Sequence, residues 1–152
     1  MSGILTDKDI VELCKLFKIK LNACVCKDDL KTMKCKNGGY VINLGDSETG
    51  GTHWVALYVE NKRGCYYDSY GMIYPDEVKA FCKELIYNVK DQQHLTDTHC
   101  GYYCMGFLHY MEYNTNNNSI LSDELNKYTS IYTCSKTGLR KLQQYYKNKI
   151  YI

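Results

Sequence analysis

The pattern of apolar residues predicts an α+β protein, a small central antiparallel or mixed sheet packed against helices. Two segments carry that expectation. His53 to Val59 (HWVALYV) is almost wholly apolar, as a central strand covered on both faces should be. From Cys100 to about Tyr113, residues Cys100, Cys104, Phe107, Leu108 and Met111 recur along one side of a helix. A third observation is the turn Asn61–Gly64, after which Cys65 to Asp68 should pair back on the long strand as a hairpin.

The other elements follow in order. Thr6 followed by Asp9 resembles an N-cap ahead of Ile10, Leu13, Cys14 and Phe17, spaced as one helix face. Cys24 to Asn37 gives no clear signal. Tyr40 to Leu44 reads as a short strand. Pro75 with Asp76 and Glu77 reads as a helix start, with the helix running to about Leu85. Tyr87 to Gln93 reads as a further strand. Asn114 to Ser119 (NTNNNS) is polar enough for a loop. Ser135 to Lys149 reads as an amphipathic helix with Leu139, Leu142 and Tyr146 inward.

At 152 residues the chain fits one domain, taken as 1–152. Its apolar runs are too short to cross a bilayer, and the N-terminus lacks a signal-peptide core, so no membrane association is expected. Nine cysteines cannot close into a full disulfide set, and reduced thiols are the reading. Cys24, Cys26 and Cys35 lack the paired Cys-x-x-Cys spacing of a zinc knuckle, and neither metal nor cofactor is expected. The formal charge of +2 excludes a polycation. Charge is nonetheless uneven, because Lys136, Arg140, Lys141, Lys147 and Lys149 lie after Ser135 with no acid among them. A solvated face is the usual meaning, and a nucleic-acid edge is the alternative. Abundant Lys, Asn, Ile and Tyr point to an A/T-rich genome.

A thiol protease needs a nucleophile, a base, an orienter for the base and donors for the oxyanion. Cys100 stands at the expected start of a helix, where the first N–H groups favour a thiolate, and Gly101 after it would let a substrate backbone approach. An isolated Cys-Gly is more often a core cysteine. His53 opens the central strand behind Gly50-Gly51, well placed for a cleft, although alone it reads as an ordinary surface histidine. His94, His99 and His109 are rivals. Asp68 ends the hairpin strand and could hold the imidazole, or simply cap an Asp-Ser turn. Gln93, seven residues before Cys100, carries a non-titrating donor suited to an oxyanion hole.

The ordered set is more specific than any member. Gly50-Gly51-Thr52-His53-Trp54, Tyr66-Tyr67-Asp68-Ser69-Tyr70-Gly71, Gln93 and Cys100-Gly101-Tyr102-Tyr103-Cys104 together resemble the clan of cysteine proteases that contains the adenain-like and SUMO-protease-like families. Glu48-Thr49-Gly50-Gly51-x-His53-Trp54, Cys100-Gly101-x-x-Cys104 and Phe107-Leu108-His109 resemble the adenain-like, viral maturation branch more closely. The resemblance spans roughly 38–111. It implies catalysis by Cys100 and His53, with Asp68 as third member and Gln93 in the oxyanion hole. It also implies cleavage of capsid or virion precursor proteins at small, glycine-containing sites, in a virophage, giant virus or virus-like transposon. The location so implied is the infected-cell interior, including virus factories, and the virion. The alternative is a deconjugase for a ubiquitin-like modifier. Asp68 follows the SUMO-protease pattern, since adenain-like proteases carry Glu there. The single Trp, Trp54, departs from the deconjugases, which clamp a Gly-Gly tail between two tryptophans. By resemblance, weak DNA binding through the basic C-terminal helix is expected, and an activating peptide paired with Cys104 is raised as an open partner beside a plain core-packing role for Cys104.

Overall fold

In the computed structural model, the described residues are 4–45, 53–93, 98–116, 118–131, 141 and 144–147. Helix α1 is Asp7–Leu16, strand β1 Leu21–Cys26, and a 3-10 turn follows at Lys27–Thr32. Strands β2 (Gly38–Asn43), β3 (Trp54–Glu60) and β4 (Arg63–Tyr67) come next, then α2 (Asp76–Phe81), β5 (Glu84–Tyr87), α3 (Cys100–Asn114) and α4 (Leu121–Ile131). The five strands form one mixed sheet in the order β1-β2-β3-β4-β5. β3 pairs antiparallel with β2 and β4, and the outer pairs β1–β2 and β4–β5 are parallel.

Strand β3 is central, as its apolar run demands. Trp54, Ala56 and Tyr58 face a core shared with α1, α3 and α4. Val55, Leu57 and Val59 face a second core, under α2 and the 3-10 turn. The period of two thus places alternate residues of one strand in two cores. The β3–β4 hairpin turns on Asn61 and Lys62, both at positive φ (51° and 65°), so Arg63 and Gly64 already belong to β4.

Helix α1 begins as expected: Thr6 accepts from the Asp9 N–H at 3.1 Å, and Asp9 accepts from the Thr6 N–H at 2.9 Å. Elsewhere local signals mislead. Helix α2 stops at Phe81 rather than near Leu85, and Pro75 is its N-cap rather than its first residue. The expected strand Tyr87–Gln93 lies earlier, at Glu84–Tyr87, because Leu85 and Ile86 pair with Gly64 and Cys65 of β4. Residues 88–93 are irregular, and their N–H groups go to a turn instead: Gln92 and Gln93 both donate to the Ser69 carbonyl, at 2.7 and 3.0 Å. Two elements carry no sequence expectation, β1 and α4; α4 has Leu121, Leu125 and Tyr128 buried at helical spacing. Of the expected C-terminal helix, Lys141 and 144–147 are helical and Tyr146 is buried. Leu139, Leu142, Lys136, Arg140 and Lys149 lie outside the described residues, as do Glu48 to Thr52 and His94. No helix among the described residues is long and apolar enough to cross a membrane.

Candidate active site

His53 immediately precedes β3, and its carbonyl accepts from the Leu44 N–H at 2.9 Å, which prolongs the β2–β3 ladder. Asp68 directly follows β4. Because β3 and β4 are antiparallel with Ala56 opposite Tyr67, the start of one and the end of the other reach the same edge. There His53 Nε2 meets Asp68 Oδ1 at 2.8 Å. Asp68 is nearly fully buried, its side chain only 2% exposed, against 14% for His53. The same Oδ1 accepts from the Tyr70 N–H at 2.8 Å, and the Tyr70 ring stacks on the imidazole with centroids 4.6 Å apart.

The Asp68 backbone is held as firmly. The Asn88 side chain accepts from the Asp68 N–H at 2.9 Å and donates to the Asp68 carbonyl at 2.7 Å. Gly71 closes the turn by donating to the same carbonyl, at 2.8 Å, with φ of +71°. A Cβ at Gly71 would lie 2.8 Å from the Val89 carbonyl oxygen, so both space and conformation require glycine.

Cys100 is the first residue of α3 and is half-buried. Its thiol lies close enough to the His53 imidazole to act on its charge. Nε2 is taken by Asp68, which leaves Nδ1 as the other ring nitrogen. Burial pulls the His53 pKa down. The hydrogen bond to Asp68, with the charges of Asp68 and Cys100, outweighs it and raises the value from 6.5 to about 9.

Helix α3 holds its thiol at this depth through contacts further down. Cys104, one turn on and fully buried, donates from Sγ to the Trp54 carbonyl at 3.3 Å. Burial pushes its thiol well above the usual range. Cys104 therefore packs in the core and links α3 to the strand that begins after His53. Trp54 in turn donates from Nε1 to the Leu5 carbonyl at 2.9 Å. Gly101 is not open to substrate as expected: it is buried, and a Cβ on it would meet Leu5 Cδ1 at 3.0 Å. Its small size serves packing of the N-terminal segment on α3.

Gln93 and Gln92 are both buried, yet they go to different partners. Gln93 accepts through Oε1 from the hydroxyl of Ser69, the neighbour of Asp68, which ties it to the site. Gln92 accepts from the Tyr67 hydroxyl and donates to the Tyr128 carbonyl at 3.3 Å, inside the core. Two of the rival histidines, His99 and His109, are engaged elsewhere. His99 caps α3 with its ring 5.7 Å from that of Tyr102, and His109 packs against Tyr113 and Tyr145. Sequence reasoning missed the supporting roles of Asn88, Ser69, Tyr70, Leu5 and the Trp54 link of Cys104; Tyr70 and Asn88 touch His53 or Asp68 directly, and the others act through neighbours.

Among the described residues, metal-type ligand atoms from three side chains lie within 4.8 Å of one another at Cys26, Asp28 and Asp29. Asp29 already accepts from the Cys26 N–H, at 3.1 Å, and Cys24 and Cys35 are not part of the group. A cavity of about 470 Å³ opens beside Trp54, lined by Leu5, Thr6, Cys24 and Asn43 among others. One of equal size lies between the 3-10 turn and α2, so volume alone does not mark the site.

An imidazole bonded to a buried carboxylate, with a thiol at a helix start close enough to act on its charge, is an arrangement that suits thiol chemistry. Among solved structures the chain is similar to the ASFV pS273R protease, with 16% identity, a TM-score of 0.49, and coverage of 86% of this chain and 67% of that one. It is also similar to the SUMO protease Ulp1 with its catalytic cysteine oxidised to a sulfinic acid (15% identity, TM-score 0.44, 91% and 79% covered). A third likeness is to the C-terminal Ulp1 protease domain in complex with Smt3, the yeast ortholog of SUMO (14%, 0.43, 93% and 78%). No family model and no curated protein matches the chain.

Proposed function

We propose that this chain is a viral cysteine endopeptidase that cleaves capsid and virion precursor proteins at small, glycine-containing sites during particle maturation. The observation that carries the catalytic part is the 2.8 Å bond of His53 to the buried Asp68, with Cys100 at the start of α3 close enough to act on the imidazole's charge. In this reading His53 and Cys100 work as an imidazolium–thiolate pair, and Asp68 holds the ring and its charge. The thiolate attacks a peptide carbonyl. Gln93 and the Cys100 N–H, one of the helix-start groups with no intrahelical acceptor, hold the oxyanion. His53 then protonates the leaving amine, and water, activated by the same imidazole, releases the acyl group and restores the thiol.

The substrate part is supported by the Gly50-Gly51-x-His53-Trp54 and Cys100-Gly101-x-x-Cys104 spacings. A second reading, a deconjugase for a ubiquitin-like modifier, draws on Asp68 in place of Glu as third member. Incubating the protein with candidate capsid precursors and, separately, with ubiquitin-like conjugates decides between them. New internal termini ahead of or after glycine in the precursors support the first reading. Release of intact modifier with the precursors untouched overturns it.

The reading extends to the infected-cell interior and the virion as location, and to weak DNA binding by the basic C-terminal segment, of which Lys141 and Lys147 are exposed. Such binding should weaken steeply with salt, through counterion release. A gel-shift titration without retardation at low salt removes it. An activating peptide disulfide-bonded to Cys104 would first have to open the core, since that thiol is fully buried.

A further inference from the structure

Two thiols meet on the face of the sheet opposite α3. Cys35 lies in the loop between the 3-10 turn and β2 and is exposed, whereas Cys82 caps the C-terminus of α2 and is buried. Their side chains lie close enough for each to act on the other's titration, and the Cys82 thiol donates to the Glu84 carbonyl at 3.7 Å. The surrounding packing accounts for the contact. The Tyr40 hydroxyl accepts from the Lys36 N–H at 2.9 Å and donates to the carbonyls of Lys34 and Lys36, so it grips the backbone on both sides of Cys35. The Tyr40 ring also packs edge-on against Phe81, the residue before Cys82, with centroids 5.1 Å apart. One tyrosine therefore brings both cysteines together. The Cys82 sulfur sits over Gly64, where a Cβ would come within 2.6 Å of it. A larger residue at 64 would push that sulfur away.

We propose that Cys35 and Cys82 form a reversible disulfide, a redox modification site separate from Cys100. The pair divides the work. Burial raises both thiols, Cys82 to about 12. Cys35 is the exposed member and is flanked by Lys34 and Lys36, so it is the one that meets an oxidant first. With hydrogen peroxide as oxidant, Cys35 sulfur attacks the O–O bond, giving a sulfenic acid and one water. Cys82 sulfur then attacks the sulfenic sulfur, and the hydroxyl leaves as a second water, taking up the Cys82 proton. Two thiols and one peroxide become one disulfide and two waters. The sulfurs have to close to about 2.05 Å, and the exposed Cys35 side is the one that adjusts.

The test is limited peroxide treatment of the full chain, blocking of residual thiols, and peptide mapping without reduction. The expected product joins the Cys35 and Cys82 peptides at the loss of two hydrogens, and dithiothreitol reverses it. Oxidised protein should melt roughly 5 °C or more above its reduced form, because the bond closes a long loop. Cys35→Ser, an exposed change that leaves the fold alone, should lose both the linked peptide and that rise, whatever happens at Cys100. Oxidation of Cys35 to sulfinic acid with Cys82 still blockable, both thiols still reduced after Cys100 has been consumed, or the same rise in Cys35→Ser would each overturn the proposal.

Discussion

The thiol of Cys104 donates to the backbone carbonyl of Trp54 at 3.3 Å, across 50 residues of sequence. This bond ties α3 one turn below Cys100 to β3 one residue beyond His53. The spacing of Cys100 and His53 is therefore held by a contact that neither residue makes. Removing the sulfur in Cys104→Ala leaves the Trp54 carbonyl buried without this donor and opens a small void, so helix and strand should shift. The expected outcome is a fall in kcat of about tenfold or more, with KM little changed, since misplacing a catalytic group by an ångström is costly. A kcat equal to wild type would show that the link does not position the pair. Native Cys104 should also resist alkylation under conditions that label Cys100.

Cys100→Ala should abolish turnover without unfolding the chain, because the side chain is half-buried and alanine favours a helix. His53→Ala should lose a comparable amount, and the double variant no more than either single one, because the two act as a unit. Steady-state rates of the three variants check this. Losses that simply multiply would separate the two residues.

The raised pKa of His53 has consequences of definite sign. The imidazolium is favoured in the folded state, with a value near 9 against an ordinary 6.5. Its contribution to stability is complete below about pH 6.5, declines between those values and is gone above 9. Activity that needs the imidazolium should follow, with kcat/KM falling as pH rises through about 9. Asp68→Asn removes the charge and the strongest raising contact while keeping the shape. Its alkaline limb should move to lower pH, and its loss of kcat should be smaller than that of Cys100→Ala. An unmoved limb in Asp68→Asn would mean that another group sets it.

The two adjacent glutamines should separate by kind of effect. Gln93→Ala is expected to lower kcat on the order of a hundredfold to a thousandfold with KM nearly unchanged, the signature of a lost oxyanion donor. Gln92 bonds Tyr67 and the Tyr128 carbonyl inside the core. Gln92→Ala should therefore lower the melting temperature by several degrees, while kcat of the folded fraction stays within a few-fold of wild type. Kinetics and thermal melts of the two variants test both statements, and the reverse pattern would exchange their roles.

What the sequence determined by itself is what local pattern can carry. The all-apolar run of β3, the spacing of apolar residues in α3, the Thr6–Asp9 cap and the Asn61 turn each depend on neighbours within a few residues, where propensity and periodicity act. The candidates His53, Asp68, Gln93 and Cys100 could be named from the sequence, because chemistry restricts which residue types can fill such roles. Tertiary structure alone decided the edges and the supports. Glu84–Tyr87 became a strand by pairing with β4, and 88–93 gave up the strand that their composition suggested in order to satisfy Ser69. The clamp of Asn88 on Asp68 spans 20 residues, and that of Trp54 on Leu5 spans 49. Such bonds leave no periodic trace, since each is a single donor and acceptor brought together only when the sheet has formed and water has been expelled from around them.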